Sequence, residues 1–186
     1  ETGAETPPPG LSVFEYFSKI AEKIISYLTT MTREGFAYRV DTRLRPTGAK
    51  GPLVQSVVAF RNYFSSGAET WERQSLVNSR FIAGDRKVGS AFSGTLQDLI
   101  YRDPDPVSLA VDIRSMRKRM QEERGKEDGS QYNIKQGRGG LVDIEFLAQY
   151  WALRDAHRYP PLAEFADTIR HLESVGSAAL VDHRVI

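Results

Sequence analysis

The 186 residues, 40% hydrophobic and 26% charged, suffice for a buried core in one or two domains. With 25 basic and 24 acidic residues the formal net charge is +1, which excludes a global field drawing the chain to nucleic acid or to an anionic membrane. The absence of cysteine excludes disulfides and thiolate zinc sites and fits a reducing cytoplasm.

Apolar runs such as Phe146-Leu147-Ala148 are too short to span a bilayer, and Glu1–Gly10 lacks the basic and apolar regions of a signal peptide. His157, His171 and His183 lack zinc-ligand spacing and read as surface or capping histidines.

After the turn-rich segment Glu1–Gly10, Ser12 and Glu15 form a capping box that opens a helix. Its apolar stripe is Leu11, Phe14, Phe17, Ala21, Ile24, Ile25 and Leu28, and Gly35 lies in the turn that follows. From Phe36 to Leu44 the residues alternate, which predicts a strand: Phe36, Tyr38, Val40, Thr42 and Leu44 toward a core, and Ala37, Arg39, Asp41 and Arg43 on the other face. Asp41 among Arg39, Arg43 and Arg45 suits a metal-bound polyphosphate, since Mg²⁺ takes hard carboxylate oxygens and arginine grips phosphate bidentately. The same residues also make a surface ladder in which Arg39 and Arg43 neutralise Asp41.

Pro46 ends the strand, residues 47–52 read as a turn, and Leu53-Val54 as a short returning strand. Helices are then predicted over about 56–64, 68–82 and 87–100. Asp105 caps the next, with Pro106 at its first position and the stripe Leu109, Ile113, Met116 and Met120; Arg114, Arg117, Lys118 and Arg119 read as its solvated side, a partner or phosphate surface being the competing reading. Residues 124–131 form a polar loop, Tyr132–Lys135 are extended, Leu141–Leu153 is a buried helix, and a last helix covers about 162–175. Gly89-Ser90 with Asp103-Pro104-Asp105 imitates the paired aspartates of a nucleotidyltransferase, but prolines at 104 and 106 exclude the central strand this needs.

A second constellation runs from Ile134 to Phe146. Lys135, Arg138, Gly139 and Gly140 lie in a basic, glycine-rich loop directly before a helix start, which offers backbone N–H groups, a helix dipole and two cations to an anion. It matches neither a P-loop nor a dinucleotide fingerprint, and a plain connection with Asp143 in a first helical turn is the competing reading. Glu145, among Leu141, Val142, Ile144, Phe146 and Leu147, calls for a cationic partner, with Lys135, Arg138 or an arginine of the Asp41 strand as candidates.

The segments YRVDTRLRPTGAKGPLV, TWERQSL, MRKRM and IKQGRGGLVDIEFLAQYWALR, in this order, resemble the bifunctional glutamine synthetase adenylyltransferase/adenylyl-removing family from about Leu11 to Gly176. The shared patterns are D-x-R-L-R-P-x-G, W-E-x-Q and K-x-G-x-G-G-[IL]-x-[DE]-I-E-F. The resemblance implies an α+β, predominantly α fold: the C-terminal remnant of a polymerase-β-like nucleotidyltransferase core over 1–55, then a helical bundle over 56–186. It implies transfer of AMP from ATP to a tyrosine of glutamine synthetase, or its removal by phosphorolysis, with Mg²⁺ as cofactor and ATP, glutamine synthetase and the PII signalling protein as partners.

By motif match Asp41 would be the third catalytic carboxylate and a metal ligand, and Arg43 and Arg45 phosphate or structural contacts. Trp71, Glu72 and Gln74 would face the cleft, and Lys135, Gly139, Gly140, Asp143 and Glu145 match the loop-and-helix motif, the two constellations then belonging to one nucleotide site. The family's Gly-Ser … Asp-x-Asp segment precedes the capping-box helix and is missing here, so the resemblance implies a fragment inactive by itself. Residues 113–120 and 142–157 resemble the AMP-adding half and residues 51–54 and 71–73 the removing half; the AMP-adding half is the reading taken. The reading from a different class is a helical docking module for glutamine synthetase or the PII protein without chemistry of its own, which a broad exposed apolar patch on the late helices would favour.

Overall fold

The computed structural model describes residues 7–102, 104–125, 132–164 and 167–180. Residues 1–6, Asp103, most of the predicted loop 124–131 and His183 lie outside the described residues. Among the described residues seven α-helices make up the regular structure: α1 (Val13–Thr29), α2 (Val57–Ser66), α3 (Thr70–Leu76), α4 (Arg86–Ile100), α5 (Pro106–Arg124), α6 (Leu141–Asp155) and α7 (Thr168–Ser177), with 3₁₀ turns at Gly48–Lys50 and Pro160–Ala163. Among the described residues no helix is long and apolar enough to cross a membrane.

The chain divides into two compact units, Glu1–Ser66 and Gly67–Ile186, so α2 groups with the first unit. The capping box opens α1 as read: Ser12 Oγ accepts from the Glu15 backbone N–H at 3.2 Å, and the Glu15 carboxylate accepts from the Ser12 N–H at 2.9 Å. Its apolar stripe is not covered, however, and Phe14 and Ile24 are each 53% exposed. In α2, Phe60 and Phe64 are buried and stack with ring centroids 4.6 Å apart.

The strand expected over 36–44 is corrected to an irregular segment without a ladder, and Leu53-Val54 is likewise not a strand. The only pairing among the described residues is the isolated bridge Thr32–Gly35. Alternation supplies a face but not a neighbour, and without a second strand the backbone groups turn to local acceptors; Tyr38 N–H donates to the Leu28 carbonyl at the end of α1. The face assigned to a core is largely open, Tyr38 being 69% and Leu44 64% exposed. The described regular structure is therefore helical rather than α+β.

The second unit holds the core. Helix α3 touches α4, α5 and α6, and α6 touches α5 and α7. Ala148 and Ala152, one turn apart on α6 and fully buried, let neighbouring helices approach closely, and Leu96, Leu99, Ile100, Leu109, Ile113, Val142, Leu153 and Val175 fill the space around them. Asp105 caps α5 by accepting from Val107 and Ser108 N–H groups, which leaves nothing of the aspartate-pair decoy, and Gly89 and Ser90 lie inside α4.

The helix expected over 68–82 is shortened to seven residues, and the last one is split into a 3₁₀ turn and α7. Ile134 and Lys135 form a turn rather than an extended stretch. His171, read as a surface or capping residue, is fully buried instead, because with Ser174 and Val175 it occupies the inward face of α7.

Candidate functional site

In the first unit the candidate residues Asp41, Arg43 and Arg45 lie in the loop from Asp41 to Gly51. The Asp41 carboxylate accepts from Arg43 three times through the guanidinium, Nε to Oδ1 at 3.0 Å and to Oδ2 at 3.1 Å and Nη2 to Oδ2 at 2.6 Å, and once from the Arg43 backbone N–H at 3.0 Å. These bonds to the charged form pull the Asp41 carboxyl down to about 2, against an ordinary 3.8. Both side chains are open to solvent, 72% exposed for Arg43 and 56% for Asp41.

Arg39 sits over the Phe36 ring at 5.3 Å and takes no part in this pair. Arg45 closes the loop: its guanidinium donates to the carbonyls of Thr42, Ala49 and Gly51, the last at 3.1 Å from Nη2. The turn beneath it needs Thr47 and Gly48 at positive φ, 61° and 59°. Gly51 has no room for a side chain, since a Cβ would stand 2.2 Å from both the Pro46 carbonyl and Thr47 Oγ1.

For the Mg²⁺ expected from the sequence, the ligand in the first unit would be Asp41 alone. One carboxylate, held on both oxygens by a guanidinium, supplies at most a single ligand. Among the described residues no three His, Cys, Asp or Glu side chains converge to hold a metal ion.

In the second unit, the loop 134–140 is built around an arginine that the sequence reading placed on a solvated face. Arg117 of α5 is 9% exposed; its Nε donates to Asp143 Oδ1 at 2.5 Å and its Nη2 to the Gln136 and Gly137 carbonyls, each at 3.0 Å. The other Asp143 oxygen accepts from Gly139 N–H at 2.6 Å, and Gly139 has φ +75°. Gly140 allows the loop to close on the helix, since a Cβ there would meet the Ile134 carbonyl at 2.6 Å.

The N–H groups of Leu141, Val142 and Asp143 are taken by the carbonyls of Ile134, Lys135 and Gly140. The helix start expected to offer free donors to a bound anion is therefore filled from within, with Asp143 as its anion. Lys135 and Arg138 point into solvent. Glu145 is half-buried and forms no ion pair among the described residues; the pair expected for it is made by Asp143 instead, because Glu145 keeps contact with solvent.

Of the three residues expected along a cleft, Trp71 is 41% exposed, whereas Glu72 and Gln74 are buried in the bundle. The Glu72 carboxylate accepts from the Glu69 N–H at the start of α3, and Gln74 Nε2 donates to Gln149 Oε1 at 2.8 Å, which ties α3 to α6. Arg117 and Gln149 are the partners that sequence reasoning missed. Arg117 carried a signal, since it follows Leu109 and Ile113 at four-residue spacing and so lies on the buried stripe of α5.

Two family models match. Glutamate-ammonia ligase adenylyltransferase covers residues 9–95, and GlnD PII-uridylyltransferase covers residues 112–186. Among curated relatives, the bifunctional glutamine synthetase adenylyltransferase/adenylyl-removing enzyme of Nitrosococcus oceani is 43% identical over 166 residues, 89% of this chain and 17% of the relative. Those of Hahella chejuensis and Methylococcus capsulatus are 41% and 38% identical over 89% and 90% of this chain, and each is covered over 18% of its own length. The chain thus spans less than a fifth of the relatives it matches. On these matches the motif resemblance extends over most of the chain, which is similar to one stretch of the bifunctional glutamine synthetase adenylyltransferase/adenylyl-removing enzymes.

Proposed function

We propose that this chain is the part of an AMP-transferring enzyme of glutamine synthetase that contributes the Asp41 carboxylate and its arginine loop to nucleotide chemistry. The observation that carries the reading is Asp41 itself: an exposed carboxylate kept ionised by Arg43, inside the family's D-x-R-L-R-P-x-G pattern. An exposed pair formed two residues apart separates at little cost, so Arg43 is available to a phosphate and Asp41 to a cationic centre. Arg45 holds the loop's shape and leaves the contact to Arg43. Lys135 and Arg138 are the cations that the second loop leaves exposed for an anionic substrate, and Trp71 is the exposed member of its motif. ATP, glutamine synthetase and the PII protein belong to the proposal as partners of the whole enzyme, and Mg²⁺ as an ion to which this chain gives one ligand.

Two assays test the reading. The isolated 186-residue chain should transfer no AMP to glutamine synthetase in the presence of Mg²⁺ and ATP, since one carboxylate does not make a metal clamp; measurable transfer overturns this part. In an intact enzyme carrying this stretch, Asp41→Asn should lower the rate on the order of 10²-fold, as loss of a preorganised charge at a reacting centre does. Near-normal turnover would return Asp41 to the role of a surface ladder residue.

A further inference from the structure

Helix α6 reads from its sequence as buried, yet the bundle leaves one of its faces open. Leu147 is 49% exposed, and Ile144 and Leu141 continue the apolar surface toward the helix start. Beside this face a groove of about 440 Å³ runs between α5 and α6. Its α5 wall reaches from Ala110 to Gln121, which is about 16 Å at the rise of an α-helix. Ile113 of α5 and Phe146, Leu147 and Tyr150 of α6 make its apolar lining.

The described lining carries three cations, Arg114, Arg117 and Lys118, against the carboxylate of Asp143. Arg117 is already paired with Asp143. Arg114 and Lys118 stand exposed one turn apart on α5, and Lys118 meets Glu122 at 3.9 Å in an open i,i+4 contact that exchanges at little cost. The groove therefore combines a long apolar trough with a basic edge.

We propose that this groove receives an amphipathic helix of a partner protein, with large apolar side chains on one face and Asp or Glu along its flank. A trough three turns long suits the i, i+3, i+4 anchors of a helix laid into it. Carboxylates one turn apart on that helix would match the spacing of Arg114 and Lys118, and each contact would be charge-assisted. An apolar centre with a solvated, charged rim is the build of an interface between separate proteins. No residue of the Asp41 loop takes part, so this proposal and the nucleotide reading fail separately.

The test is a titration of the 186-residue chain, followed by amide NMR shifts, with a synthetic helix bearing leucine on one face and glutamate along its flank. The same peptide with lysine for glutamate, the same with alanine for leucine, and oleate serve as comparisons. Saturable binding of the acidic leucine peptide is expected, with shifts centred on α5 and α6 and far weaker binding of both altered peptides. Leu147→Asp should weaken binding at least about tenfold through loss of a buried apolar contact. If that variant fails to fold, the double change Arg114→Glu and Lys118→Glu, at exposed positions, carries the test and should reverse the preference toward the lysine peptide. No saturable binding, equal binding of the lysine peptide, or an unreversed preference in the double variant overturns the proposal. Oleate shifting the same amides while the acidic peptide shifts none assigns the groove to an acyl chain and overturns it as well.

Discussion

Among the arginine–aspartate pairs of the described residues, two combine nearly the same local chemistry with opposite consequence. Arg43 and Asp41 are two residues apart and open to water; Arg117 and Asp143 are 26 residues apart, with side chains 11% and 32% exposed. The first pair is set by its own loop and is screened by salt, so it can part when a ligand offers better company. The second joins α5 to the start of α6 and to two loop carbonyls, and removing one partner strands the other in a poorly solvated place. A pair that contributes little to the fold is free to serve chemistry; one that closes a helix start is not.

The sharpest way to break this comparison is at Arg117. Arg117→Met should destabilise the second unit by on the order of 2 kcal/mol, the cost of leaving a half-buried carboxylate and two carbonyls without their donor. Urea unfolding of the chain measures it, and a loss near zero would place the Arg117 pair beside the Arg43 pair. Of similar size are the two glycines that let the loops close. Gly140→Ala puts a Cβ 2.6 Å from the Ile134 carbonyl and 3.0 Å from those of Lys135 and Gly137, so backbone must move, at about 2 kcal/mol. Gly51→Ala puts one 2.2 Å from the Pro46 carbonyl and should open the Arg45 clasp, which limited proteolysis between residues 42 and 51 detects while the helical content by circular dichroism stays unchanged.

The smallest effect sharpens the contrast at the exposed pair. The Asp41 carboxyl should titrate at about 2 and return toward 3.8 in Arg43→Gln, as carboxyl NMR would read. A folded value below the unfolded one means that the pair's contribution is present above pH about 4 and is lost as pH falls through about 2. High salt should shrink the shift, and a shift indifferent to salt would contradict the screened, separable pair.

What was legible in the sequence was local. Ser12 with Glu15, and Asp105 with Pro106, announce helix starts because a cap and its N–H groups lie within three residues of each other. Alternation around Asp41 is also local and predicts a strand, whereas a ladder needs a partner elsewhere in the chain. The same limit hid Arg117: its charge and its basic neighbours pointed to solvent, and only its register with Leu109 and Ile113 pointed inward. The glycine loop was found, but its use was not. That the Gly139 N–H meets Asp143 while the loop carbonyls meet Arg117 depends on where α5 delivers a guanidinium, 19 to 26 residues earlier in the chain.

The two pairs are separated most directly by one experiment, urea unfolding of the 186-residue chain as Asp41→Asn and as Asp143→Asn under identical conditions at neutral pH. Each change is nearly isosteric and removes one carboxylate charge from one pair. The account predicts an unchanged midpoint for Asp41→Asn and a clearly lowered one for Asp143→Asn. Equal losses in the two variants, or a larger loss at Asp41, would contradict the division between a solvent-screened pair and a pair that holds the fold.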